Sequence, residues 1–485
     1  MTLADHFSGF WGYVIAGLTL FISVTGSCHA ILYKRDSRAA VLWVGFIWLT
    51  PLVGTVLYFL FGVNRIRRGA VSMRQRVAPY ESLVRSTGSE CQTGACLLSP
   101  AWGHLAPLVQ LGDKIGRNSL FGGNLIKPLL DGDAAYPEML GAIDGASRSI
   151  NLSTYIFDND KAGRRFCEAL GKAVERGVEA RVLIDDAGAR YSWPSILRQL
   201  RRAGVQTVRF LPTFSVWRFT TMNLRMHRKL LVIDGRVAFT GGMNIRAGHV
   251  LRDHPRRPIR DIHFRLEGPV VAQLQDVFAD DWHFCTQELL RGEAWFPQLE
   301  NRGSVLARGI SDGPDEDFEI VRLVILGALS CAKSSVRILT PYFLPDQAII
   351  SALNVAAMRG VDVDIVLPNK NNLPYIQWAS SAQWWQVLER GCRIWLTPPP
   401  FDHAKLMIVD GVWVFMGSAN WDPRSLRLNF ELNVECYDAE LARAMDSLIK
   451  ERISAARSVT LREVDGRPVP IRLRDGIARL FAPFL

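Results

Sequence analysis

Charged positions nearly vanish along the first seventy residues. No Asp, Glu, Lys or Arg occurs from Phe7 to Tyr33, and a second uncharged run extends from Ala39 to Val63. Each run exceeds the ~20 apolar residues that cross a bilayer core. The pattern predicts a two-helix transmembrane hairpin over residues 1–70, turning at Lys34, Arg35 and Arg38. Trp11 and Tyr13 open the first run and Tyr58 lies near the end of the second, positions that suit interfacial aromatic belts. No small-residue processing site separates the runs, which argues against a cleaved leader. Arg65, Arg67, Arg68, Arg74 and Arg76 follow the second run and outnumber the basic residues of the turn. The positive-inside rule therefore leans towards a cytoplasmic main domain.

Beyond the hairpin the pattern changes twice. Residues 71–120 carry Gly, Ser and Pro without a clear period and read as a linker. From there the chain repeats a strand, helix, strand unit. In the first half, Ser149–Phe157 is followed by a helix-like stretch ending Arg176-Gly177-Val178, then by the apolar run Ala180–Ile184. In the second, Val336–Phe343 is followed by a stretch ending Arg359-Gly360-Val361, then by Val363–Leu367. Apolar strands alternating with helices imply a sheet covered on both faces. The period is far above that of solenoid repeats. We therefore expect an α/β protein with two duplicated domains, 121–300 and 301–485, related by a pseudo-two-fold axis, with equivalent loops meeting at one cleft.

Composition narrows the field only partly. In 485 residues, 48% hydrophobic and 21% charged is close to globular averages, so any membrane part is local. The net charge of +10 favours an anionic partner but does not separate nucleic acid, lipid headgroups and phosphorylated metabolites. The eight cysteines are scattered and read as free thiols of a reducing compartment; the close pair Cys91 and Cys96 lacks the second pair that a zinc site needs.

The chemistry lies in a second repetition. His227-Arg-Lys229-(x)4-Asp234 is followed by Gly241 and Asn244, and His403-Ala-Lys405-(x)4-Asp410 by Gly417, Ser418 and Asn420. Corresponding His, Lys, Asp, Gly and Asn positions are all 176 apart. Residues two apart on an extended strand share a face, so each histidine and its lysine can address one ligand. A phosphodiester reaction needs a nucleophile, an acid for the leaving alkoxide and donors for the non-bridging oxygens. Two histidines supply the first two; Lys229, Lys405, Asn244 and Asn420 supply the donors, with Ser418 a further one. Asp234 and Asp410 complete the motifs, but seven residues of strand carry them well away from the histidines, so they read as structural.

This pair of motifs is the signature of the phospholipase D superfamily, and the chain resembles bacterial cardiolipin synthases over nearly its whole length. The resemblance includes Pro51-Leu-Val-Gly54 with Phe59–Arg65, Phe239–Asn244, Arg260–Gly268, Asp422–Glu431 and the C-terminal Ile477–Leu485. It implies duplicated α/β/α sandwich domains and a catalytic set of His227, Lys229, Asp234, His403, Lys405 and Asp410. It further implies carboxylates that orient the histidines, for which Asp261 and Glu431 match, and a phosphohistidine on His227. The opposite assignment of the two histidines is physically open.

Three reactions fit such a site: joining two phosphatidylglycerol molecules into cardiolipin with release of glycerol, hydrolysis of a phospholipid, and nucleic-acid cleavage. A membrane hairpin favours anionic phospholipid, phosphatidylglycerol above all, and no base-reading module is present. The aromatic stretches Phe210–Phe219, Tyr375–Trp378 and Trp384-Trp385 suit a bilayer interface. His249, His254, His263 and His283 form no metal-binding triad, so neither metal nor other cofactor is expected. The expected location is the bacterial inner membrane, multi-pass.

Overall fold

The computed structural model describes residues 3–34, 36–62, 94–212, 224–314 and 317–482. The arginine cluster 65–76, Cys91 and most of the aromatic stretch 210–219 lie outside them. The chain divides into two units, residues 1–69 and the remainder.

In the first unit one helix, Leu3–Tyr33, contains a stretch, Trp11–Tyr33, long and apolar enough to cross a membrane. The second uncharged run is not one helix. It forms Ser37–Leu49, breaks at Thr50, and resumes as Pro51–Leu57 and a π-turn to Gly62. The residue before a proline is pushed out of the helical region, and Thr50 sits at φ −138°, ψ 72°. Asp36 caps the second helix by accepting from the Arg38 amide at 2.9 Å. Ala30, Ile47 and Tyr58 form the contact between the pieces, and His29 Nδ1 lies 2.8 Å from the Tyr58 hydroxyl.

Among the described residues the second unit has eighteen strands, nine from each half. The first half gives β1 (Phe121–Leu130), β2 (Ser149–Thr154), β3 (Glu179–Asp185), β4 (Gln206–Phe210), β5 (Arg225–Met226), β6 (Leu230–Ile233), β7 (Val237–Gly241), β8 (Ile259–Arg260) and β9 (Ile262–Glu267). The second gives β10 (Val305–Asp312), β11 (Ser335–Leu339), β12 (Asp362–Pro368), β13 (Arg393–Thr397), β14 (Phe401–Asp402), β15 (Leu406–Val409), β16 (Trp413–Gly417), β17 (Asn429–Tyr437) and β18 (Arg457–Val459). The strands run β18-β13-β12-β11-β15-β16-β17-β10-β1-β9-β7-β6-β2-β3-β4 across one sheet, with β5 added to β17. The halves join where β1 pairs antiparallel with β10. Outward from that seam the order is equivalent on both sides, except that β18 adds an edge strand in the second half. β2, β3 and β4 are parallel, and so are β11, β12 and β13, while the strands nearer the seam are antiparallel.

Helices Val270–Thr286 and Ala439–Ser454 contribute to one apolar cluster that takes side chains from both halves, so the halves share a core. Each half has a further cluster of its own. Part of the expected linker is folded. Helix Ala106–Ile115 sets Leu108 and Val109 into the second half's core. Pro107 and Gly112 obscured that helix in the sequence; Pro107 stands in its first turn, where proline is tolerated.

Candidate active site

Each motif begins where the sheet hands a strand to its neighbour. β5 lies parallel to β17, and the His227 amide donates to the Phe430 carbonyl at 2.8 Å. β14 lies parallel to β8, and the His403 amide donates to the Arg260 carbonyl, also at 2.8 Å. The residue after each accepting carbonyl is a carboxylate, Glu431 within β17 and Asp261 between β8 and β9, so the pairing crosses between halves. His227 Nδ1 meets both oxygens of Glu431 at 3.0 Å, and His403 Nδ1 meets Asp261 Oδ2 at 2.8 Å. A carboxylate on Nδ1 fixes the tautomer and leaves Nε2 for the ligand.

Both histidines line a cavity of about 430 Å³ together with Asn244 and Asn420. Lys229 and Lys405 stand just behind its wall, each with Nζ donating to the carbonyl of its own histidine, at 2.6 Å for Lys229. Asn244 Oδ1 accepts from the Ile156 amide at 3.0 Å, and Asn420 Nδ2 donates to Ser425 Oγ at 3.2 Å. Nine of the eleven sequence-derived site residues are thus gathered in or around one site: both histidines, lysines, asparagines and carboxylates, and Ser418 behind one carboxylate.

Ser418 does not face the cavity. Its hydroxyl is fully buried and donates to Glu431 Oε2 at 2.5 Å, which places it behind the carboxylate rather than on a phosphate oxygen. Asp234 and Asp410 are far from the cavity, each at the tip of a hairpin. Asp234-Gly235 and Asp410-Gly411 all have positive φ, the conformation of a two-residue type I′ turn. Asp234 accepts the amides of Ser147, Arg148 and Ser149, and Asp410 those of Lys333, Ser334 and Ser335 with His104 added at 2.8 Å. The last position of each motif is therefore a hairpin corner that clamps the loop entering β2 or β11.

The electrostatics are those of buried positive charge. Burial, with the two lysines, lowers His227 to about 4, although Glu431 pulls the other way. Burial, both lysines, His227 and Arg246 all lower His403 well below its usual value. Both imidazoles are neutral at pH 7. Burial also brings Lys229 down to about 7 and Lys405 to about 8, and no further because Glu431 and Asp261 hold the ammonium charges. Burial alone would raise Glu431, but His227, Lys229 and Ser418 hold it below the ordinary carboxylate value.

Several wall residues escaped the sequence reading. Asn429 Nδ2 donates to Glu431 Oε1 at 3.1 Å; its place two residues before Glu431 on one strand face was the available signal. Tyr155 packs edge-on to His227 at 5.3 Å and Tyr342 to His403 at 6.5 Å. His249, set aside as a metal ligand, lines the same cavity with Arg225, Arg246 and Arg424. Among the described residues no cluster of His, Cys, Asp and Glu could hold a metal ion.

Comparison with known proteins identifies the family. Residues 139–282 and 325–453, more than half the chain, match the family profile described as cardiolipin synthase, PLD-like domain, and residues 21–62 match a phospholipase D-nuclease N-terminal profile. Cardiolipin synthase A of Pseudomonas fluorescens is 31% identical, covering 98% of each chain. The major cardiolipin synthase ClsA of Bacillus subtilis is 30% identical over 93% of this chain and 95% of its own. In fold, a phosphatidylserine synthase from Haemophilus influenzae superposes with a TM-score of 0.61 at 14% identity, covering 78% of this chain and all of that one. The chain belongs to the bacterial cardiolipin synthase family of the phospholipase D superfamily.

Proposed function

We propose that this cardiolipin synthase transfers a phosphatidyl group from one phosphatidylglycerol to another, through a covalent adduct on His227. Membership of the family and full-length relatives near 30% identity support the phosphatidyltransferase activity. The single observation that carries the mechanism is the crossed pair of carboxylate-bound histidines on one cavity wall.

In the first step Nε2 of His227 attacks phosphorus, the bond from phosphorus to the glycerol oxygen breaks, and that oxygen takes a proton from His403. In the second, the hydroxyl of an incoming phosphatidylglycerol gives its proton to His403 and attacks the adduct, releasing His227 and cardiolipin. The lysine ammonium groups and the Asn244 and Asn420 amides stabilise the non-bridging oxygens. His403 is neutral in the free site because burial, and after it the surrounding cations, disfavour its charge; the anionic phosphodiester offsets those cations, so proton uptake accompanies substrate binding. Asp234 and Asp410 act through the fold.

The equivalent strand order on the two sides of the seam supports a pseudo-two-fold relation between domains 121–300 and 301–485. The length of Trp11–Tyr33 and the uncharged run after it support a two-span anchor in the inner membrane, and the arginines 65–76 a cytoplasmic catalytic unit. Phosphatidylglycerol, not nucleic acid, is then the substrate at hand. The test is mass spectrometry of products from labelled phosphatidylglycerol vesicles and purified full-length protein. Cardiolipin and glycerol in equal amounts are expected. Phosphatidic acid as the main product would make the enzyme a hydrolase instead.

A further inference from the structure

The last described helix, Val469–Leu480, is held to the catalytic unit by one face only. Asp475 is buried there, accepting from Arg467 and Arg474 at 2.7 Å and from Ser381 at 3.1 Å. Ala478 and Ala482 pack with Ile376, Ala379 and Leu344. The opposite face is apolar and open to solvent: Val469 is 73% exposed, Leu473 62%, Ile477 48% and Leu480 73%, and Phe481, just past the end, 58%. Steps of four, four and three residues place the first four in one stripe. A helix docked on a soluble core ordinarily turns polar residues outward. An exposed apolar stripe of this kind marks an interaction surface.

Charge identifies the partner. By helical periodicity Arg472 and Arg479 fall along one edge of the stripe and Arg474, whose guanidinium stacks 4.5 Å from the Trp378 ring, along the other. The only acid on the helix is the buried Asp475. Two copies meeting through this face would oppose arginine to arginine, whereas an anionic bilayer satisfies both stripe and edges. The surface is also continuous with the active site. Helix Pro374–Ser381 packs against this one, and its Tyr375 and Ile376 line the catalytic cavity, while Tyr375 is still 43% exposed.

We propose that Val469–Phe481 is an interfacial helix that docks the catalytic unit on an anionic lipid surface, with the stripe in the acyl boundary and Arg472 and Arg479 at the phosphates. It sets the cavity mouth at the headgroup level, where a lipid substrate enters without leaving the bilayer. The proposal rests on the lipid-substrate reading above.

The test compares full-length protein with the double variant Leu473→Ser, Leu480→Ser on two forms of phosphatidylglycerol: vesicles, and a short-chain form below its micelle concentration. Loss of two large apolar contacts predicts a fall of about tenfold on vesicles and a change within about twofold on the monomeric lipid. Equal rates on vesicles, or an equal fall on both substrates, would overturn it. Independently, vesicles containing phosphatidylglycerol with a photoreactive acyl chain should label the 469–481 peptide of the unmutated protein. Label confined to the N-terminal helices, or crosslinks from this peptide to a second copy, would overturn it as well. If the unmutated protein turned over neither lipid form, the substrate reading would fail while the labelling still decided the helix.

Discussion

Between histidine and lysine the first half carries Arg228, buried and bound through Nη1 to both oxygens of Asp281 at 2.6 Å, whereas the second half carries Ala404. Beyond the next strand Gly242 of the first half corresponds to Ser418 of the second. A Cβ on Gly242 would lie 2.2 Å from Asp261 Oδ1, while Ser418 uses its hydroxyl to hold Glu431. The carboxylates differ accordingly. Glu431 is gripped by His227, Ser418 and Asn429, with Arg228 Nε on its carbonyl; Asp261 has His403 and the Ile262 amide. What the halves share is the chemistry, and what they do not share is the bracing. The more constrained imidazole, His227, suits the atom that must carry a phosphoryl group and give it back. The less constrained one suits proton traffic.

The largest effects should come from the crossed carboxylates. Glu431→Gln and Asp261→Asn keep shape but lose charge, and each should cost about a hundred- to ten-thousand-fold in kcat. Crossing makes a sharper claim: adding Glu431→Gln to His227→Ala should cost little more, because both remove one functional unit. If Asp261→Asn rather than Glu431→Gln proved silent in the His227→Ala background, the pairing would lie within halves.

Next comes the bracing. Arg228→Ala takes away the buried guanidinium that binds both oxygens of Asp281 and should destabilise the catalytic unit by about 3–5 kcal/mol. Ala404→Gly, at the equivalent place, should cost about 1 kcal/mol or less. Thermal or denaturant unfolding of the two variants checks the contrast; equal losses would remove it.

A smaller effect concerns pH. Lys229 near 7 and Lys405 near 8 lose their protons as pH rises through that range, removing the charges that meet the phosphate. His227, near 4, keeps its lone pair free down to that value. The ratio kcat/KM should therefore decline as pH rises towards neutrality, because His403 takes up its proton on binding, and decline more steeply between about 7 and 8 as the lysines discharge. A profile flat to pH 10 would contradict the roles of the lysines.

Much of this was legible in the sequence because it was local or repeated. The apolar strands and the 176-residue offset were visible as pattern, and the two carboxylates followed from the family resemblance. The crossing was not, since His227 and Glu431 are 204 positions apart and meet only through the β5 to β17 pairing. Ser418 was misjudged because a hydroxyl beside a motif reads as a phosphate donor until a neighbouring carboxylate claims it. Trp384 was grouped with interfacial aromatics but is 8% exposed in the second half's core, while Trp385, next to it, is 43% exposed. Composition cannot distinguish the two faces of so short a helix. Pro51 was in view, yet an uncharged run gives length before it gives a break.

The central claim is that one site joins both halves and that His227 carries the phosphatidyl group. A labelled phosphatidyl donor with a nitrophenolate leaving group needs no acid, so the variant His403→Ala should still form an adduct and then stall, because its second step lacks a base. Peptide mapping after quench should place the label on the peptide bearing His227, with none formed by His227→Ala. Label on the His403 peptide of the His227→Ala variant, with none in His403→Ala, would reverse the roles and contradict the account.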